Sequence, residues 1–244
     1  MICMTALTRR NRFRKMVDIH RSLSLLMKKH NWKFVATVFT VGVLIGFTGC
    51  ATAPYNQGSA TASALKSAAN QTASVSTKIT DALGALNTMA FASQGDLRDP
   101  YGKFTRAVKH LQTASKGLDT KMAAVQTQAI AYLKHWNQQS SRITSANLRS
   151  ISQQQQNDVS TNLTAVNADY RAVTCSFTPL MSHLKSIKTF LNTDLTPEGL
   201  NAIKSQLNKT EAEAKLLRDS LQQLQSHLNA LAKTMSPVMS GGAP

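Results

Sequence analysis

Apolar residues recur at alternating steps of three and four from Leu200 to Met235, and that repeat constrains the chain more than any other feature. Leu200, Ile203, Leu207, Thr210, Ala214, Leu217, Leu221, Leu224, Leu228, Leu231 and Met235 keep one register throughout. A period near 3.5 places them along one side of an α-helix as a narrow stripe. Such a stripe is stable only against a second helix, so the chain must supply partners.

Three earlier segments supply them. The first is expected from about residue 60 to 92, with Leu65, Ala68, Thr72, Val75, Ile79, Ala82, Leu86 and Met89 on its seam. The second, from Pro100 to about Ser141, carries Tyr101, Phe104, Val108, Leu111, Ser115, Leu118, Met122, Val125, Ala129, Tyr132 and Trp136. The third, to about Asn192, carries Val159, Leu163, Val166, Tyr170, Val173, Phe177, Leu180, Leu184, Ile187 and Leu191. Asp99-Pro100 reads as an N-cap followed by proline at the first helical position, and Thr196-Pro197-Glu198 repeats that signal with an acid in the first turn. The segment around Ile143 to Asn147 is the weakest break; a helix through it would fuse the second and third segments. Pro179 is expected to kink the third helix. The fold class that follows is all-α: an elongated antiparallel bundle or coiled coil of three to four long helices. Aromatics are only 6% of the chain, which argues against a sandwich or barrel.

The net charge is +16 over 244 residues. Residues 1–33 hold nine basic side chains against Asp18, which is half of that charge. Behind this flank runs FVATVFTVGVLIGFTG, residues 34–49, with no charge. A basic flank, an apolar run shorter than the roughly 20 residues of a membrane span, and small residues at its end make a secretory signal. Phe47-Thr48-Gly49-Cys50 resembles the lipobox of bacterial lipoproteins. The resemblance implies signal-peptidase recognition at Phe47, Thr48 and Gly49 and a lipid on the Cys50 thiol. Phe47 departs from the usual aliphatic residue at its position. Met27 opens a complete signal by itself, so residues 1–26 read as an extension upstream of the true start; the alternative is a long cytoplasmic flank. Lipoproteins of this kind with Asp after the cysteine stay at the inner membrane. Ala51 and Thr52 follow here, which points to the outer membrane, facing the periplasm, with an inner-membrane anchor as the alternative.

The expected organisation is a signal peptide at 1–49, a lipidated cysteine with a flexible tether at 50–60, a helical bundle at 61–236 and a loose tail at 237–244. With Cys3 removed and Cys50 blocked, Cys175 cannot pair internally, and it is expected as a small buried hydrophobe in its helix.

Little of the sequence suggests chemistry. His110, His135, His183 and His227 offer no pair three or four residues apart, so no single helix presents a metal site. Most of the carboxylates are expected on polar faces or in caps. No glycine-rich phosphate loop is present. Neither catalytic residues, metal nor cofactor is expected, and the chain reads as a non-enzymatic spacer, scaffold or docking component of the cell envelope. The partners expected are the membrane, through the N-terminal lipid, and a second copy or another helical protein. Neither nucleic acid nor a small-molecule substrate is expected. Lys103, Arg106 and Lys109 recur on successive turns of the second segment, and a binding module for lipopolysaccharide or peptidoglycan through that basic face is the alternative.

The body also resembles an uncharacterised family of bacterial lipoproteins with a coiled-coil body. Tyr132, Trp136, Leu148-Arg149-Ser150, Phe177-Thr178-Pro179-Leu180, Phe190-Leu191 and Asp194-Leu195 carry the resemblance, over roughly residues 100–235. It implies a helical, exported protein without an established activity. The basic balance departs from the acidic tendency of such relatives.

Overall fold

The computed structural model describes residues 54–92 and 96–235. Four helices fill them: α1, Pro54–Ala90; α2, Arg98–Ser140; α3, Ala146–Thr193; and α4, Pro197–Met235. Their 37, 43, 48 and 39 residues correspond to lengths of about 55 to 70 Å at 1.5 Å per residue. No strand occurs among the described residues, and none of these helices is long and apolar enough to cross a membrane.

The breaks fall where turn chemistry puts them. At the α2–α3 turn, Ser145 is extended and its hydroxyl faces the Leu148 amide at 3.5 Å, while its carbonyl accepts from Arg149 at 3.0 Å. Segments two and three are therefore separate helices. At the α3–α4 turn, Thr196 Oγ1 accepts from the Gly199 amide at 3.1 Å and donates to Asp194 at 2.6 Å. Gly199 is needed there, because any Cβ would overlap the Asp194 carbonyl. The start of α2 differs from expectation. Asp99 and Pro100 already lie within its first turn, and Asp96 Oδ1 instead accepts from the Arg98 amide at 3.0 Å. Proline is tolerated there because first-turn amides lack intrahelical acceptors in any case.

Two further expectations are corrected. Helix α1 begins at Pro54, so residues 54–60 belong to the body and not to a flexible tether. Gly58 is buried; a Cβ on it would lie 3.5 Å from the Tyr132 ring and 3.4 Å from the Met235 carbonyl. Helix α1 thus has something to pack against before its seam residues begin. Cys175 is exposed, because the seam of α3 passes through Val173 and Phe177 and leaves it on the outer side. Pro179 is also exposed, and α3 runs through it from Ala146 to Thr193.

Helix α1 packs against α2 and α4, and α3 packs against α4 and α2; the two diagonal pairs have no Cα approach within 8 Å among the described residues. That is an up-down-up-down four-helix bundle. Cross-helix hydrogen bonds fix the direction. Trp136 to Ser152, Gln126 to Asn167, Tyr170 to Asp119 and Tyr101 to Asn192 step down α2 while they step up α3.

The core is the set of seams. Leu65, Ile79, Phe104, Leu111, Leu184 and Leu228 are completely buried, and so are the α1 alanines Ala68 and Ala82, which let neighbouring backbones approach. Thr72 and Thr210 are buried too, and each hydroxyl turns back to the carbonyl four residues earlier, at 2.9 and 2.8 Å. That local bond removes the cost of a buried polar group.

Adjacent residues on α4 test this register. Leu217 is fully buried and Leu216 is 62% exposed. Leu217→Ala should lower stability by about 2–5 kcal/mol in urea unfolding, and Leu216→Ala by no more than about 0.5 kcal/mol.

Candidate functional site

Phe47, Thr48, Gly49 and Cys50 lie outside the described residues. The structure places Lys103, Arg106 and Lys109 on α2, all exposed, with no acid within 4.0 Å of their charged groups among the described residues. They line a solvated face rather than a cleft. A cleft of about 860 Å³ lies at the same, N-terminal end of α2, between Leu97, Arg98, Leu195, Pro197 and Lys204. It mixes Asp96 with Arg98 and Lys204 and contains neither His nor Cys.

The polar chemistry lies between α3 and α4. Asp169 is 8% exposed, and its carboxylate accepts from Gln223 Nε2 at 3.0 Å and pairs closely with His227 Nδ1. One heptad along, Ser176 and Ser220 hydroxyls meet at 3.5 Å. One heptad further, His183 Nδ1 lies 2.8 Å from Glu213 Oε2. The three levels form a ladder: residues 169, 176 and 183 of α3 face 227, 220 and 213 of α4. Each lies three residues after a seam residue: Val166, Val173 and Leu180 on one helix, Leu224, Leu217 and Thr210 on the other. This is the flank of a heptad seam, where polar side chains reach across to a neighbouring helix.

Asp169 is an exception to the polar faces and caps expected of most carboxylates. It follows Val166 by three residues and so falls inside the covered flank. The heptad spacing of 169, 176 and 183 is visible in the sequence; which helix they meet is not. A carboxylate–imidazole pair can orient a base, but a nucleophile must then reach the ring. Among the described residues, no serine hydroxyl or lysine amine bonds to either imidazole, and no group of three or more His, Cys, Asp or Glu could hold a metal ion.

A second polar contact joins α2 to α3. The Tyr170 hydroxyl donates to Asp119 Oδ1 at 2.6 Å. Burial of the phenol raises its pKa far above the usual value, and the hydrogen bond to Asp119 and the carboxylate charge add to that rise. Burial also raises the pKa of Tyr132, whose ring meets Trp136 edge-on at 5.3 Å.

With the geometry in place, the comparisons with known proteins are brief. A family model described as a protein of unknown function, DUF2959, matches residues 59–235. The chain belongs to the DUF2959 family. The match spans all but the first turn of α1 together with α2, α3 and α4, so the family unit is the whole bundle, wider than the stretch from residue 100 that the resemblance covered. No curated protein and no solved structure matches the chain.

The DUF2959 bundle gives two measurable expectations. Asp169→Ala and His227→Ala should each cost about 1–3 kcal/mol, and a double-mutant cycle should return a coupling of at least about 0.5 kcal/mol. For Tyr170, the folded state favours the protonated phenol. Its contribution is therefore intact below the ordinary value near 10 and is lost as the pH rises above it. Thermal melts between pH 9 and 12 should show a steeper loss for the native chain than for Tyr170→Phe.

Proposed function

We propose that this protein is a non-enzymatic, lipid-anchored helical bundle of the bacterial cell envelope. It faces the periplasm and serves as a spacer, scaffold or docking component. The observation that carries this reading is the short interval between the lipobox-like Cys50 and the body. Helix α1 starts at Pro54, four residues after that cysteine. A chain of four residues spans at most about 14 Å, so a lipid on Cys50 holds the bundle directly at a membrane. Diacylglyceryl and N-acyl chains together contribute about 0.8 kcal/mol per buried CH₂, enough for stable attachment. Ala51 and Thr52 after the cysteine favour the outer membrane. The polar contacts between helices fit a supporting role, since their imidazoles and carboxylates satisfy one another.

Palmitate labelling tests the anchor. The native chain should incorporate label and fractionate with membranes. Cys50→Ser should lose the label and leave the precursor uncut. Labelling that persists in Cys50→Ser would refute the assignment.

The basic face of α2 supports a second reading, a binding module for an anionic envelope polymer. Exposure of Lys103, Arg106 and Lys109 with no acid within 4.0 Å among the described residues favours it. Binding to lipopolysaccharide or peptidoglycan should then weaken with salt and disappear in the Lys103→Glu, Arg106→Glu, Lys109→Glu triple variant. Binding unchanged by the three substitutions would remove this reading.

A further inference from the structure

We propose that the tip of the α2–α3 hairpin is a second membrane contact, seated on the anionic surface of the bilayer that holds the lipid. The proposal rests on the anchor reading and adds a site to it.

The geometry begins with where α1 starts. Thr61 Oγ1 lies 3.5 Å from the Gln128 carbonyl, and Gly58 packs beside Tyr132 and Met235. Continuing that antiparallel step brings Pro54 level with the stretch of α2 around His135. Helix α2 runs on to Ser140 and α3 returns from Ala146. The tip therefore lies about 8 Å beyond the start of α1, at 1.5 Å per residue. Cys50, four residues before Pro54, has a reach of about 14 Å. Lipid and tip belong to the same end of the bundle.

The side chains at this end suit a bilayer surface. Leu148 is 58% exposed and Ile151 is 48% exposed, one helical turn apart on the same face of α3. Arg142 is exposed in the turn six residues before Leu148, and Lys134 is exposed on the last turns of α2, two residues before Trp136. Arg149 donates from Nε and Nη2 to the Ile143 carbonyl at 3.0 and 2.5 Å, which fixes the loop with its cation at the tip. Between Lys121 and Asp158 the sequence has no acid. The opposite end also exposes large apolar side chains, Phe91 and Phe190, but there Asp96, Asp99, Asp194 and Glu198 accompany the bases. Apolar side chains flanked by uncompensated cations are the combination that anionic bilayers attract. Two leucine-sized side chains bind a membrane weakly alone. Held at the surface by a lipid on the same end, they act at a high local concentration, and one lipid plus one basic patch fixes the bundle's orientation as well as its attachment.

Trp136 supplies the readout. Its ring is half-buried near the tip, with Nε1 donating to Ser152 at 2.8 Å, and Trp32 is the only other tryptophan, within the signal. Mature protein purified from membranes would be reconstituted into vesicles of phosphatidylethanolamine and phosphatidylglycerol carrying lipids brominated near the headgroup. The expected result is quenching of Trp136 that falls in high salt. Leu148→Ser with Ile151→Ser should abolish most of it, as should Lys134→Glu with Arg142→Glu, while circular dichroism stays unchanged. Vesicle-bound protein without quenching, or quenching equal in all variants, overturns the proposal. So does a dimer in sedimentation that the Leu148→Ser, Ile151→Ser variant makes monomeric, because the patch is then an interface between copies. Mass analysis of the N-terminal peptide reports the lipid separately. A peptide without lipid refutes the anchor, and quenching of whatever protein binds the vesicles still decides the tip. Failure of the chain to bind vesicles at all overturns both.

Discussion

Each of the four described helices carries one apolar stripe too narrow to bury itself, and the bundle exists because these stripes close on one another. The physical driving force is removal of the seam side chains from water, worth about 1.5–3 kcal/mol for each fully buried large aliphatic. Leu65, Phe104, Leu184 and Leu228 come from four different helices and are all fully buried. Their enclosure requires every helix to keep its register along its whole length. Single-helix stability would not suffice, since threonine and serine are frequent and β-branched residues weaken isolated helices. Packing compensates, and the buried threonines satisfy their hydroxyls within their own helix.

Around that apolar centre, polar side chains select which helices are neighbours. The α3–α4 interface carries the heptad ladder from Asp169–His227 through Ser176–Ser220 to His183–Glu213. The α2–α3 interface is the sparsest of the four in backbone contact, and polar bridges from Tyr101 to Trp136 run along it. Apolar stripes of similar width pair with one another almost indiscriminately. Cross-helix hydrogen bonds distinguish one antiparallel register from a register displaced by a heptad, in which Asp169 would face Ser220 and lose its imidazole partner. The ladder therefore contributes specificity in addition to any stability.

The two ends of the bundle differ in a way that bears on its role. At one end, turn residues such as Thr196 and Gly199 close α3 onto α4, and acids mix with bases. At the other, α2 and α3 run past the start of α1 and present Leu148, Ile151 and Arg142 without a compensating acid. That asymmetry matches the proposed lipid at Cys50, because the anchor and the acid-free tip share an end.

Much of this architecture was legible in the sequence, because helix burial follows a local period. The seam residues of all four segments are buried or half-buried, and the breaks near residues 143–147 and 193–196 became turns through capping chemistry that involves only neighbours. Errors arose where a distant residue decided the outcome. The first turns of α1 looked like a tether because Pro54 and Gly58 are poor helix formers, yet Tyr132 and Met235 give them a surface to pack on. Cys175 looked like a small core residue, but its burial depended on how wide the covered stripe was, and the stripe of α3 widens on the side of Asp169 instead. The sequence by itself determined the helices and their seams, since both follow from spacing along one chain. Only the tertiary structure decided which stripe meets which, that Asp169 faces His227, and that the hairpin tip lies at the end of the bundle where α1 starts. Those facts are relations between residues far apart in the chain, and no local period encodes them.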